Sequence, residues 1–320
     1  MGKGQLSAED EKSLGEMLPI NANVLSVSDM NVTSDITYGP SSSPVLLNVG
    51  TLTFNGGSLI VKNTAFTLHA DVVAFGPKTG NSPYHIGILG VDGDAGDKGT
   101  DGTVPSPAQA SSGSDTHPRS PGVCTGAGNG GNGADGSKGT DGNNGQAGKD
   151  GKPNLPANIT IGEFSTTQPG NLVVFSRSGA GGQGGEGGMG GVGQQGGNGG
   201  HGCDSGCEGT EGGNAGNGGK GGKCGDGGYG GNGVNGFNIN VTVPSANVKN
   251  VQFSTEVAPV AQGGNPGLGG IGGDPGSKGK GGKGRSDGNT GKKGYPGDTG
   301  EKGEIGTQQG NAGQFYITGK

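Results

Sequence analysis

Glycine recurs at every third position through much of this chain, and that period constrains the fold more than any other feature. Gly87 to Gly102, Gly130 to Gly151, Gly181 to Gly202, Gly213 to Gly231, Gly264 to Gly282 and Gly288 to Gly306 keep the spacing without a break. Three residues per turn is the period of the polyproline-II conformation, with a rise of about 3.1 Å per residue. Glycine at every third position gives such a helix one bare edge, where another backbone can approach. The conformation makes no internal hydrogen bonds, so its peptide groups must find partners on neighbouring helices. Cα–H···O contacts add to packing of this kind. Composition alone argues the opposite. Nearly a third of the 320 residues are Gly or Pro, apolar residues make up 26% and Trp is absent. Such chains bury too little apolar area to offset the ordering entropy. The strict period outweighs composition here, because disorder does not require one.

The block at 179–202 is built of GGX triplets, with two bare edges of three, which suits a helix inside a bundle. The blocks "GDAGDKGTDG" and "GNTGKKGYPGDTGEKGEIG" carry two side chains per turn and suit outer helices whose Asp, Lys, Thr and Asn meet water. The second of these is collagen-like. A collagen triple helix is the weaker reading, because each block has few triplets, GGX is poor collagen, and few triplets hold Pro (Pro266, Pro275, Pro296). The repeats "GGQGGEGGMGGVG" and "GGNAGNGGKGGKCGDGGYGGNG" resemble those of the glycine-rich polyproline-II (polyglycine-II) bundle proteins. That group includes the springtail antifreeze proteins and the receptor-binding tip adhesins of some long-tailed phages. The resemblance covers the glycine blocks, about half the chain. It implies a rigid, non-enzymatic scaffold without choosing between ice, receptor and self-assembly.

Between the glycine blocks lie β-branched stretches bounded by Gly and Asn turns, at 43–76, 157–178, 237–261 and 314–320. In "FNINVTV", Phe237, Ile239, Val241 and Val243 share a face. His69 alternates with apolar neighbours and is expected to be a partly buried strand residue. The expected fold class is an all-β base, a short-stranded β-solenoid or sandwich, with inserted polyglycine/polyproline-II helical hairpins and almost no α-helix. The hairpins occupy 87–153, 179–236 and 263–313, and 1–42 forms an N-terminal segment with a helical turn at Ser7. Each block leaves one strand and returns to another, so it needs an even number of passes. Turns are expected at 103–121, 203–211 and 283–287, giving six helices of roughly 50–70 Å.

Little in the chain points to chemistry. Cys124, Cys203, Cys207 and Cys224 are disulfide candidates, with three possible connectivities. A zinc site from His201, Cys203, Cys207 and Cys224 matches no strong spacing. Asp92, Asp94, Asp97 and Asp101 lack EF-hand spacing, and solvated outer positions explain them better than calcium. No histidine pairs with a nucleophile, and Ser205 in "DSG" is no nucleophile elbow. No enzyme activity, cofactor or metal is expected. The net charge of -6, finely interspersed, argues against a nucleic-acid partner. No run is apolar enough for a membrane span, and no signal peptide is visible in this chain.

The expected function is a structural or adhesive surface protein, at the cell surface, outside the cell or on a virion. Its turn loops would meet a surface receptor, a glycan or other copies of itself, with His117, Arg119, Asp204, Ser205, Arg285 and Asp287 as polar candidates. A filament-forming subunit or homo-oligomer and an ice-binding protein are the alternatives.

Overall fold

The computed structural model describes residues 22–76 and 83–320; the helical turn expected at Ser7 lies outside them. Among the described residues the regular structure is almost all β. The strands are β1 (Asn23–Val32), β2 (Ile36–Tyr38), β3 (Val45–Phe54), β4 (Leu59–Lys62), β5 (Phe66–Phe75), β6 (Ile86–Leu89), β7 (Ala157–Phe164), β8 (Leu172–Arg177), β9 (Ile239–Val243), β10 (Val251–Glu256) and β11 (Phe315–Gly319). A 3-10 helix at Ser245–Asn250 is the one helical element among these residues. The odd strands form one sheet in the order β1-β3-β5-β7-β9-β11, and the even strands a second, β10-β8-β6-β4-β2. Every pairing is parallel. The chain therefore crosses from one sheet to the other after each strand.

Alternation explains which side faces in. In β5, Phe66, Leu68 and Ala70 are buried while Thr67, His69 and Asp71 point outward. Parallel register then stacks like on like. Leu47, Leu68, Ile159 and Val241 occupy one row, and Val45, Phe66, Ala157 and Ile239 another. Leu59, Ile86 and Val174 form a row on the facing sheet. Full burial of each such aliphatic side chain contributes about 1.5–3 kcal/mol. On the outer face polar ladders replace them, as where the Asn240 amide donates to Asn158 Oδ1 at 2.9 Å.

Several expectations need correction. Residues 23–38, grouped by sequence with an N-terminal segment, supply β1 and β2. Phe237 is 48% exposed although Ile239, Val241 and Val243 are fully buried. β9 begins only at Ile239, so Phe237 lies outside the strand. His69 is exposed beside Asp71, at 3.2 Å, because its neighbours in β5 take the inward positions.

The glycine blocks leave the second sheet and return to the first. Run 1 (90–117) follows β6, run 3 (179–202) follows β8 and run 5 (258–282) follows β10. Runs 2 (130–152), 4 (211–236) and 6 (287–311) lead back into β7, β9 and β11. Gly93, Gly96, Gly99 and Gly102 donate to the carbonyls of Ala180, Gln183, Glu186 and Met189 at 2.7–2.8 Å, a constant offset that makes runs 1 and 3 parallel. Gly182, Gly185, Gly188 and Gly191 donate to Lys149, Gln146, Asn143 and Thr140 at 2.8 Å, so runs 3 and 2 point in opposite directions. Gly181, Gly184, Gly187 and Gly190 reach Pro259, Gln262, Asn265 and Leu268 on run 5. Successive residues of run 3 thus bond to different neighbours, and run 4 does the same. Runs 1, 3 and 5 form a layer continuous with the second sheet, and runs 2, 4 and 6 a layer continuous with the first.

Run 1 does not turn at 103. Ala110, Gly113 and Thr116 donate to Gln195, Asn198 and His201 at 2.7–2.9 Å, so the segment continues alongside run 3 to residue 117. Run 1 advances from Gly102 to Ala110 while run 3 advances only from Met189 to Gln195, and the surplus lies in Val104-Pro105-Ser106-Pro107. The absence of glycine triplets here mimics a turn, but partners on run 3 carry the segment straight on.

Candidate functional site

Three turns close the ends of the runs remote from the sheets: 118–128, 203–210 and 282–287. Each contains glycine at positive φ: Gly122 (+80°) and Gly126 (+79°), Gly206 (+77°), and Gly284 (+72°). Residues from all three line a single cleft of ≈ 550 Å³, among them Cys124, Thr125, Cys207, Glu208, Lys283 and Arg285.

Covalent and polar links hold the turns together. A disulfide joins Cys124 to Cys203, with Cα atoms 6.0 Å apart. Thr125 Oγ1 donates to Glu208 Oε2 at 2.8 Å. Arg285 Nε donates to the Gly209 carbonyl at 3.0 Å, and the Gly282 N–H to the Thr210 carbonyl at 2.9 Å. The pairing that sequence left open is therefore Cys124–Cys203, while Cys207 is an exposed thiol and Cys224 a buried one. Cys224 Sγ accepts from the Gly300 N–H at 2.7 Å. With Cys203 in a disulfide and His201 Nδ1 accepting from the Lys280 N–H, the zinc alternative has no ligand set. Among the described residues no group of three acidic, His or Cys side chains could hold a metal ion.

The six polar candidates divide. Asp204 Oδ1 accepts from Gly206 N–H at 3.0 Å, and the Ser205 hydroxyl is exchanged with Glu208 through two bonds at 3.0 and 3.1 Å; both shape their own turn. Arg285 links two turns, as above. Asp287 accepts from Gly281 N–H at 3.0 Å and pairs with Lys278 at 3.1 Å, and these partners, the N–H first, hold its carboxyl below the usual range. His117 and Arg119 are exposed and make no side-chain hydrogen bond to the other described residues. They stand at the end of run 1 and in the first turn, not within a loop starting at 103.

Sequence reasoning missed a second class of residue. Asn and Asp side chains that looked like solvated outer positions accept backbone N–H groups from the next run of their layer. Asn132 Oδ1 accepts from Asn214, whose own Oδ1 accepts from Asn289, at 2.9 and 2.7 Å. Asp141 accepts from Lys223 and Asp226 from Glu301. Asp92 and Asp101, read as possible calcium ligands, accept from Ala180 and Met189 at 2.8 Å. The Asp101 carboxyl is held below its ordinary range, first by the Met189 N–H and then by Lys98. The signal was present as Asn or Asp recurring at one phase of the triplet.

Also missed was a cluster of exposed apolar residues midway along the outer face of runs 1, 3 and 5, around Met189 and Leu268. No helix of the described residues is long and apolar enough to cross a membrane. Family models, curated proteins and solved structures give no match to this chain.

Proposed function

We propose that this is a non-enzymatic adhesive or structural surface protein, working outside the cell or on a virion, that presents three turns on a rigid bundle to a surface receptor or glycan. In this reading the six runs are polyglycine-II helices paired as three hairpins. The two sheets are the faces of a β-solenoid that launches and receives them. Bonding of successive residues to different neighbours supports the helical reading, because a threefold helix turns each residue of the triplet toward a different side. The strict alternation of strands between two parallel sheets supports the solenoid. A Cys124–Cys203 disulfide suits an oxidising compartment.

One observation carries the functional reading: three turns distant in sequence meet around one cleft and are tied to one another. Loops fixed on a rigid scaffold are where recognition concentrates. The experiment is a glycan array probed with the intact protein and with a His117→Ala/Arg119→Ala variant. Binding that falls in the variant supports the reading. Binding unchanged after all three turns are replaced by Gly-Ser segments of equal length overturns it.

A specific observation favours filament formation as the second reading. β1 and β11 are the two edges of one parallel sheet, and most of β1 is exposed. Edges facing opposite ways invite open-ended stacking of copies. Electron microscopy distinguishes this from a discrete particle. Ice binding is less favoured, since exposed ion pairs such as Lys149–Asp94 and Lys293–Asp274 break up the outer surface; thermal hysteresis tests it directly.

A further inference from the structure

Charges around the cleft are unevenly committed. The carboxylates of the tip are engaged in holding the turns. Asp204 Oδ1 accepts from the Gly206 N–H, Glu208 Oε2 from Thr125 Oγ1, and Asp287 from the Gly281 N–H and Lys278. The cations are not. Along the runs, lysines find carboxylates, as in Lys149–Asp94 and Lys220–Asp298. Arg119, Lys283 and Arg285 are exposed and form no ion pair with the other described residues. Arg285 uses one donor, Nε, on the Gly209 carbonyl. A guanidinium has five N–H donors, so those on both Nη atoms are unspent. Lys283 lines the same cleft. Arg119 reaches it from the first turn, with Nη1 3.9 Å from the point that a Cβ on Gly126 would occupy, and Gly126 is part of the cleft wall. Cations from two turns therefore flank one concavity, whose walls concentrate their field. The Cys124–Cys203 disulfide and the Arg285–Gly209 bond fix the turns, so these donors are in place before any ligand arrives.

The geometry points to an acidic glycan as the ligand of this cleft. The inference rests on the turns being recognition loops and narrows what they recognise. The charged substituent of a sugar, a carboxylate or a sulfate, takes the Nη donors of Arg285 and the ammonium of Lys283, with Arg119 completing the site from the first turn. The guanidinium fork matches the paired oxygens of either group. Glu208 supplies the other half of the discrimination. Thr125 occupies its Oε2, and its Oε1 is left to accept a hydroxyl. A bare inorganic anion meets only repulsion from this carboxylate, whereas a sugar brings hydroxyl donors to it. A neutral glycan satisfies Glu208 but leaves the cations without a counter-charge. A nucleic acid brings charge in excess to a chain whose net charge is already -6. The cleft also holds a built-in reporter. Cys207 lines it and is exposed, while Cys224 is buried and Cys124 and Cys203 are bonded to each other.

The test applies the intact protein to glycans in matched pairs: sialylated, sulfated and uronate chains beside the same chains desialylated, desulfated or carboxyl-reduced. Acidic members are expected to bind at least about tenfold more tightly than their neutral counterparts. The uronate and sulfate arms separate carboxylate from sulfate as the recognised group. Arg119→Ala and Lys283→Ala, at exposed positions without bonded partners, each weaken that binding about tenfold and leave the thermal transition unchanged. The tightest acidic glycan should also slow alkylation of Cys207 by iodoacetamide several-fold. Neutral members bound as well as acidic ones, with binding lost when the turns are replaced, overturn the inference and leave the turns as recognition loops. Acidic glycans still bound after that replacement overturn both. No acidic glycan bound, single-stranded DNA bound equally well, or a Cys207 that reacts at the same rate under the bound glycan also overturns the inference.

Discussion

At Gly222 an added Cβ would run into the Thr140 carbonyl, and at Gly219 into that of Ser137. These glycines serve for the absence of a side chain, since neighbouring backbone occupies the space. Gly206 differs: its φ is +77° and nothing lies within 4 Å of an added Cβ. The two kinds should respond differently to the same substitution. Gly222→Ala must displace backbone shared by three runs and is expected to cost more than about 4 kcal/mol. Gly206→Ala meets only the left-handed penalty, about 1 kcal/mol; denaturant unfolding compares them. Carboxylates carry a second prediction. The carboxyls of Asp101, Asp226 and Asp287 are lowered chiefly by backbone N–H donors, and that of Asp141 first by Lys138 and then by the Lys223 N–H. Groups lowered in the fold contribute stability above their unfolded pKa of about 4 and lose it as pH falls through the lower folded values. The thermal midpoint should therefore drop below about pH 4. Asp141→Asn keeps the acceptor oxygen and should flatten part of that fall.

Strands and runs share one register, so a change in one element reaches the other. Leu68→Ala removes a fully buried side chain from a row of four and is expected to destabilise by about 2–5 kcal/mol, read by thermal or denaturant melting. Reduction of Cys124–Cys203 releases a loop closed across a separation of 79 residues, worth about 4–5 kcal/mol in the chain-entropy account. Hydrogen exchange should then rise first in 118–128 and 203–210, while the amides of run 3 stay protected. A β-rich chain with almost no helix was legible because alternation and period are properties of consecutive residues. What depends on partners was not. The passage of run 1 through 103–117 is dictated by carbonyls of run 3, some 85 residues away, and nothing within the segment announces it. The pairing of Cys124 with Cys203 follows from two turns meeting, and the four cysteines alone left three solutions. Asn289 read as wet surface until the register aligned it with Asn214 and Asn132. Met189 and Leu268 are far apart in sequence, and only the register of adjacent runs puts them side by side.

Considered whole, the molecule hands its backbone from one kind of packing to another without losing register. Parallel strands hold a side-chain core between two sheets, and the layers that continue them press peptide against peptide. Ser178 and Asn154 mark the change, buried and hydrogen-bonded to each other at 2.8 Å where apolar packing ends. Small-angle scattering should report an elongated particle whose length is unchanged when the turns are replaced, since the runs set it. The layered runs also have a mechanical consequence. If the runs are the threefold helices proposed above, their rise of about 3.1 Å per residue is already close to the limit of about 3.3–3.6 Å for a stretched chain. Tension applied between the far tip and the sheets finds almost no slack to take up. It loads dozens of crosswise N–H···O hydrogen bonds in shear together, so the bundle should behave as an inextensible strut, transmitting a pull at its tip to its base without yielding along the way.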